Sequence, residues 1–421
     1  MKRLATILAV VMVITGCYAQ KSNVNKAKSL SAAYENPDFD GARKAIEAAL
    51  QDPSTKDLTN TWYIAGLVGY NEYQHYYIQR GMGQAVDDLT FSKPTSESYD
   101  YWLVADKMSQ VPNAKGKVDV KTRKNINSKM LEYYKGQTLI IYGLQLYESG
   151  DYMGAFDAFK KHLDIPNLDM MQDPKLQAEL VKDSIYYTYV VYAGRFLYSA
   201  KEYDKTINWF SQMNNPEVAG VAKESDIVTA NEFIYQCYYD QKDTANYVAT
   251  LERSIKAFPN ESWFIQNLIN HYIFSGQLDM AYEYLTQAIA DDPNVAQYYL
   301  IRGNLLEHGK KFEEAKADFQ KTIELDPTIA DAYAGMGRCF YNDAAERTDA
   351  VEHISDNKAY QAAKKELDVL YKQSLPYFEK AFELDQNRDY LILVKGLYYR
   401  FRSEPGYQEK LDEATEKLKN L

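Results

Sequence analysis

Apolar residues recur at helical spacing along this chain, and turn residues separate the stretches that carry them. Three such helix-like stretches are Leu251–Phe258, Ala281–Asp292 and Ala315–Asp326. Each is followed by a proline, and these prolines, Pro259, Pro293 and Pro327, lie 34 residues apart. Since proline cannot continue a helix, the spacing predicts helices that end at a fixed period.

The residues between the prolines repeat as well. With Pro327 at position 32 of a 34-residue unit, position 8 is glycine in several units and position 24 is large and apolar. The glycines are Gly143, Gly194 and Gly303, and position 24 holds Phe159, Phe210, Leu285 and Phe319. Small residues at positions 8 and 20 let two antiparallel helices approach, and large residues at positions 4, 11, 17 and 24 fill the space between them.

This pattern resembles the tetratricopeptide repeat. The resemblance covers residues 136–340, is strongest at 262–327, and is degenerate at 228–261. A single helix pair cannot bury its own apolar face, so at least three pairs must stack. The resemblance implies an all-α fold: a right-handed α-α superhelix, or solenoid, of stacked tetratricopeptide helix pairs with an irregular N-terminal segment.

The repeat register predicts four segments. Residues 1–20 read as an export signal, and 21–130 as degenerate helical repeats with an insertion at 81–128. A regular array is expected over 131–328, and further helix pairs over 329–421. The last segment is expected to contain an insertion near 342–372, a helix extended through much of 358–385 with a bend at Pro376, and a capping helix at Leu411–Leu418.

Two flanking motifs extend the resemblance over most of the chain. Asn36-Pro37-Asp38-Phe39 precedes Thr61-Trp62-Tyr63, and Leu375-Pro376-Tyr377-Phe378-Glu379-Lys380-Ala381 lies near the C-terminus. They are similar to segments of exported Bacteroidetes tetratricopeptide repeat proteins of unassigned function. A basic cluster lies inside the 81–128 insertion and is interpreted as a solvated loop. It consists of Lys115, Lys117, Lys121, Arg123 and Lys124.

The N-terminus carries an export signal. Lys2 and Arg3 precede the apolar run Leu4–Ile14, which is too short to span a bilayer. Ile14-Thr15-Gly16-Cys17 resembles a bacterial lipobox, in which Cys17 is lipidated, whereas Cys17-Tyr18-Ala19 fits ordinary signal peptidase. Both readings remain open. They predict an exported protein, either periplasmic or held as a periplasm-facing lipoprotein, with no transmembrane span.

Composition and charge limit the kinds of partner that we expect this protein to bind. The net charge of −11 and the pI near 5.2 argue against nucleic acid, which needs a basic face. Outside the signal only Cys237 and Cys339 remain, and both fall at position 10 of units three repeats apart, so we expect buried free thiols. The 38 tyrosines are the main anomaly.

The sequence offers no catalytic or cofactor site. No two of the five histidines have the spacing of a helical metal pair. No glycine-rich phosphate loop, nucleophile elbow or kinase signature occurs. We therefore expect no metal, no cofactor and no enzymatic activity.

The resemblance implies a binding groove. In tetratricopeptide repeats the first helix of each pair lines a concave channel with its positions 2, 5, 9, 12 and 13. Here position 9 is mostly polar, position 12 is mostly tyrosine, and position 2 adds one tryptophan. The predicted groove residues are Tyr147, Tyr198, Arg195, Gln236, Tyr239, Trp263, Asn270, Asn304, Arg338 and Tyr341. Amide and aromatic groups in such a row suit an extended peptide.

These features predict a non-enzymatic protein- or peptide-binding scaffold or adaptor in the bacterial cell envelope. Position 5 carries no lysine, so the family's clamp for an acidic C-terminal tail is not expected. One alternative is a glycan-binding accessory protein of an outer-membrane uptake system, because tyrosine and Trp263 can stack on sugar rings. Another is an uncatalogued hydrolase. Contacts made by the inserts rather than the groove also remain open, as does the oligomeric state.

The register divides the tyrosines. Large packing residues are required at the positions of Tyr152, Tyr203, Tyr238, Tyr272, Tyr299 and Tyr333, which are expected in the core. Aromatic residues are not required at position 12. The four tyrosines there, Tyr147, Tyr198, Tyr239 and Tyr341, are therefore the candidate ligand contacts.

Overall fold

The computed structural model describes residues 22–420, and in that range every regular element is a helix. The predicted all-α fold of stacked helix pairs is confirmed. The signal segment and Cys17 lie outside the described residues. Between residues 22 and 420, no helix combines the length and apolarity needed to cross a membrane.

The chain forms two compact units, divided between Tyr247 and Val248. The division falls inside α13 (Thr244–Ala257). The first unit contains α1 (22–31), α2 (Phe39–Gln51), α3 (Thr59–Gly81), α4 (Asp88–Ser109), α5 (Val120–Lys135), α6 (Thr138–Glu148), α7 (Tyr152–Asp164), α8 (Pro174–Gln177), α9 (Ser184–Ser199), α10 (Tyr203–Ser211), α11 (Pro216–Ala219) and α12 (Glu224–Asp240).

The second unit contains the remaining helix pairs. They are α14 (Ser262–Phe274), α15 (Leu278–Asp291), α16 (Ala296–His308), α17 (Phe312–Leu325), α18 (Ala330–Glu352), α19 (Asn357–Leu384), α20 (Arg388–Arg400) and α21 (Tyr407–Lys419). We call the first helix of each pair its A helix and the second its B helix. The A helices with groove predictions are α6, α9 and α12 in the first unit, and α14, α16 and α18 in the second.

A contact between glycine and phenylalanine holds four of the helix pairs together. A Cβ added to Gly194 on α9 would lie 2.2 Å from Phe210 on α10, and one added to Gly303 would lie 2.9 Å from Phe319. Gly143 and Gly337 meet Phe159 and Phe378 in the same way. Position 8 therefore contacts position 24 more closely than position 20, and each fully buried ring occupies the space that the missing side chain leaves.

The 81–128 insertion is largely helical. Its helix α4 packs on α3, where a Cβ on Gly66 would fall 2.3 Å from the fully buried Trp102. This is the glycine–aromatic contact of the later pairs, so α3 and α4 form a helix pair whose second helix comes from the stretch expected to be an insertion. The basic cluster is not entirely a loop either, because Arg123 lies on α5 and pairs with Asp106 at 2.8 Å and Asp169 at 3.2 Å.

Two long connectors separate helix pairs in the first unit. The first, 165–183, has two 3-10 turns and then α8, with Pro174 as its first residue and Asp173 as its cap. The second, 212–223, has one 3-10 turn and then α11, with Pro216 and the cap Asn215. Buried side chains, Met171 and Met213 among them, fix both connectors to the unit. The spacing of the pairs is therefore uneven here.

The predicted insertion at 342–372 extends both helices of one pair. It supplies the last turns of α18 and the first turns of α19, which continues through Pro376 to Leu384. Ala344, Leu367 and Tyr371 from this stretch are buried in the same core cluster as Phe378. The insertion is thus part of the hydrophobic core of the second unit, and only its tip is peripheral.

Candidate ligand-binding faces of the A helices

Position 12 of the first unit presents three tyrosines on successive A helices. Tyr147 on α6 is 44% exposed, and its ring lies 5.0 Å from Phe196. Tyr239 on α12 is 54% exposed and stacks on Tyr235 at 5.8 Å. Tyr198 lies on α9, the A helix between these two along the chain, and is half-buried. Each tyrosine is therefore held by a neighbouring aromatic ring, while two of them keep about half of their side-chain surface open to contacts.

Hydrogen bonds restrain the middle of this row. The Tyr198 hydroxyl donates to Asp240 at 2.8 Å, and the Gln236 amide donates to the other oxygen of the same carboxylate at 2.9 Å. Desolvation, followed by the Asp240 carboxylate, raises the pKa of Tyr198 to about 12. Tyr198 is thus a neutral donor engaged within the unit, and it positions the face more than it contacts a ligand.

Position 9 of the first unit carries Leu144 and Arg195 in addition to Gln236. Leu144 is 40% exposed, so one exposed apolar side chain lies beside the tyrosines. Arg195 is exposed, and its guanidinium carbon lies 5.8 Å from the ring centres of both Tyr192 and Phe233. Asp183 caps the N-terminus of α9 and so fixes where this helix starts. On the other side of α9, Gly194 packs against Phe210.

The second unit has a different face. Arg338 on α18 forms an ion pair with Glu307 on α16 at 2.9 Å and donates to Asn304 at 3.0 Å. Asn342 donates to the same Glu307 at 3.2 Å. Since the Glu307 side chain is only 12% exposed, this network joins neighbouring A helices. Arg338, which was predicted as a ligand contact, is therefore already paired with Glu307 and bonded to Asn304, the second predicted residue here.

The other predicted residues of the second unit fall into two groups. Asn270 on α14 is exposed. Trp263 is half-buried with its ring at 5.3 Å from Phe264, and Tyr341 is half-buried at 5.0 Å from Tyr371. Tyr341 packs against the C-terminal core cluster, so its ring stabilises the unit more than it offers a surface. Of these three residues, Asn270 is the most accessible.

One exposed residue escaped the sequence analysis. Phe274, at position 13 of its repeat, is 88% exposed, and Ile273 beside it is 37% exposed. The resemblance places position 13 in the groove, so comparing the residues at position 13 of each repeat would have identified Phe274. These two side chains give the second unit an apolar patch next to the amide of Asn270.

The tyrosines assigned to the core divide in the structure. Tyr272 and Tyr299 are buried, as predicted. Tyr203, Tyr238 and Tyr333 are half-buried. Tyr152 is 36% exposed, so its assignment to the core is wrong. Its position, 17, lies at the start of the B helix, where Leu278 of another repeat is likewise exposed.

The described cysteines and acidic groups are further candidates, as possible thiol or metal sites. Cys237 and Cys339 are free and buried, as predicted, and desolvation raises the pKa of each thiol to about 12. Within residues 22–420, no three His, Cys, Asp or Glu side chains gather as metal ligands would. The A-helix faces therefore remain the candidate sites.

Sequence comparison assigns repeats to part of the chain. Residues 236–261 and 267–330 match two family models, each described as a tetratricopeptide repeat. The chain therefore carries tetratricopeptide repeats, and the resemblance read from the sequence is confirmed. No curated protein matches the chain significantly.

A search of solved structures finds several tetratricopeptide repeat proteins that are similar to parts of this chain. A tetratricopeptide repeat protein from Bacteroides fragilis is 19% identical, covers 63% of this chain and 98% of its own, and has a TM-score of 0.30. The C-terminal part of one from Cytophaga hutchinsonii is 17% identical, covers 66% of this chain and 93% of its own, and has a TM-score of 0.35. YrrB, described as having an unusual peptide-binding site, is 18% identical, covers 51% of this chain and 93% of its own, and has a TM-score of 0.27.

Proposed function

We propose that this protein is a non-enzymatic scaffold that binds a protein or peptide segment along the A-helix faces of its units, in the bacterial cell envelope. The observation that supports this proposal best is the row of side chains at positions 9 and 12, of which Tyr147, Arg195 and Tyr239 are exposed in the first unit. Stacked helix pairs present such side chains on successive helices, which suits an extended ligand.

The chemistry of the row supports a peptide. Tyrosine combines a large apolar surface with a hydroxyl, and it loses little conformational entropy on binding. The tyrosine rings are already held by neighbouring rings at 5.0 Å for Tyr147 and 5.8 Å for Tyr239. Preorganised side chains reduce the entropic cost of association. The export signal read from the sequence is the basis for placing this scaffold in the envelope.

Removal of the exposed tyrosines tests the proposal. A Tyr147→Ala, Tyr239→Ala double variant should lose the proteins that the wild type cross-links in envelope fractions of the native host, because both rings lose their contact surface. Tyr77→Ala removes a tyrosine that is 57% exposed on α3, outside positions 9 and 12, and serves as the matched control. Circular dichroism checks that all three proteins keep their helices.

The cross-linked proteins decide between the faces. Loss of the same bands in the double variant and their retention in Tyr77→Ala supports binding along the A helices. Unchanged bands in a folded double variant would refute it. Recovery of the protein in the cytoplasmic fraction of its host would refute the envelope location separately.

A further inference from the structure

The two arginines at position 9 have opposite surroundings. The guanidinium of Arg338 is paired with Glu307 at 2.9 Å and with Asn304 at 3.0 Å. Within residues 22–420, the interactions of the Arg195 guanidinium are with two aromatic rings, those of Tyr192 and Phe233. Among the described residues, no Asp or Glu lies within 4.0 Å of the Arg195 side-chain nitrogens. Of the two, only Arg195 keeps its charge available for a ligand.

The surroundings of Arg195 favour an anionic group. The chain carries a net charge of −11, so an exposed arginine without a carboxylate partner runs against its general balance. The α12 carboxylates on this side are already engaged: Asp240 accepts hydrogen bonds from Tyr198 and Gln236, and Glu232 has an interaction partner of its own. Aromatic faces on either side hold a guanidinium without neutralising it, and its planar fork matches the two oxygens of a carboxylate.

We propose that Arg195 is the specificity-determining residue of the first unit, and that it binds the side-chain carboxylate of an Asp or Glu within the peptide ligand. Neighbouring apolar groups of that peptide then contact Tyr147 on α6 and Tyr239 on α12, the A helices before and after α9. This inference rests on the proposed peptide-binding function and names the chemistry of the ligand.

The position of the charge distinguishes this site from a clamp for a chain terminus. A terminal carboxylate clamp needs several cations on neighbouring helices. Position 5 of these three helices is Ile140, Val191 and Glu232, which supplies none. A single arginine between aromatic rings suits one carboxylate in the middle of a segment, where apolar neighbours on both sides reach the tyrosines.

A displayed library of random peptides, with C-termini fused and therefore blocked, tests the inference on the immobilised full mature chain. We expect wild type to select peptides enriched in Asp or Glu. Arg195→Gln should abolish that enrichment. Arg402→Gln is the matched control, because Arg402 is also exposed and lies 3.9 Å from the Tyr399 ring, but it follows α20 and not an A-helix face of the first unit.

Synthetic peptides from the selection give the affinities. Changing the selected Glu to Gln, or Arg195 to Gln, should each weaken binding by about tenfold or more, and the two changes together should weaken it no further. The loss in wild-type affinity with added salt should vanish in Arg195→Gln. If Arg195→Gln lowers the melting temperature, Arg195→Lys retains the charge without the fork and should bind with intermediate affinity.

The outcomes separate the two proposals. Selection of peptides without acidic enrichment, or enrichment that persists in Arg195→Gln, would overturn the role of Arg195 while leaving peptide binding in place. Synthetic peptides that bind only with a free C-terminus would overturn the side-chain carboxylate in favour of a terminal one. Failure of folded wild type to select any peptide would overturn peptide binding itself.

Discussion

At the scale of single residues, the contact between glycine and phenylalanine positions the A-helix faces. Gly194 lies against Phe210, and the next residue along α9 is Arg195, which turns outward to the face. The sequence predicted small residues at position 8 and large ones at position 24, because both are fixed by close packing. It did not predict which arginine is neutralised, because the partner Glu307 lies 31 residues from Arg338.

A methyl group at position 8 should therefore be costly. In Gly194→Ala the new Cβ falls 2.2 Å from the fully buried Phe210 ring, and we expect a loss of about 1–3 kcal/mol in the free energy of unfolding. Gly396→Ala is the control, because nothing lies within 4 Å of a Cβ there. That exposed helical site should gain up to about 1 kcal/mol from alanine. Urea titration of both variants measures the difference, and equal stabilities would contradict the packing argument.

A buried histidine predicts a pH dependence of stability. His162 stacks on Tyr134 at 4.7 Å, its Nδ1 has no hydrogen-bond partner among the described residues, and desolvation lowers its pKa from 6.5 to about 4. Between about pH 4 and pH 6.5, therefore, His162 is protonated in the unfolded chain and neutral in the folded chain. This contribution is fully present above pH 6.5 and is lost as the pH falls through about 4, a change of about 3 kcal/mol.

The matched comparison is His162→Phe, which keeps a ring against Tyr134 and removes the proton. Its free energy of unfolding should fall less than that of wild type between pH 7 and pH 4, since acidic residues titrate equally in both proteins. His308→Phe, at an exposed histidine, should follow wild type. Parallel curves for wild type and His162→Phe would show that His162 does not carry the difference.

At the scale of helices, α4 and α19 show what periodicity misses. The sequence of α4 contains a proline and several Ser and Thr residues, which do not predict a helix. In the structure Pro94 nevertheless lies within α4, and the buried Ser98 hydroxyl donates to the Gly66 carbonyl at 2.8 Å. Ser and Thr side chains can be buried when their hydroxyl groups donate to main-chain carbonyls, and a search for apolar residues at helical spacing does not predict such buried positions. The extension of α19 was predictable because its apolar residues keep helical spacing across Pro376.

Trimming the α18–α19 hairpin distinguishes its tip from its base. Replacement of 352–360 by a short Gly/Asn linker removes no buried residue and keeps Val351, which packs against the core cluster, so we expect helix content per residue and melting temperature to change little. Deletion of 342–372 removes Ala344, Leu367 and Tyr371 from the core, and we expect it to unfold the second unit. Thermal melts compare the two, and peptide binding by the trimmed protein excludes the tip as the contact surface.

At the scale of the whole molecule, the repeats can be recognised by sequence comparison in one part of the chain but not in another. The family-model matches begin at residue 236, after the second long connector, and extend to 330. Helix pairs before that point have the same internal contacts, since Gly143 and Gly194 meet Phe159 and Phe210. The fold was therefore predictable within each pair, whereas the connectors, which follow no period, were not.

The two connectors also affect how repeats can be recognised within this chain. Gly143 and Gly194 are 51 residues apart, whereas Gly303 and Gly337 are 34 apart. Lengthened connectors therefore hide repeats from a search that relies on an even interval, although Gly143 with Phe159 and Gly194 with Phe210 keep the packing of the 34-residue units. A search for glycine followed 16 residues later by phenylalanine finds both of these pairs whatever the length of the connector between them.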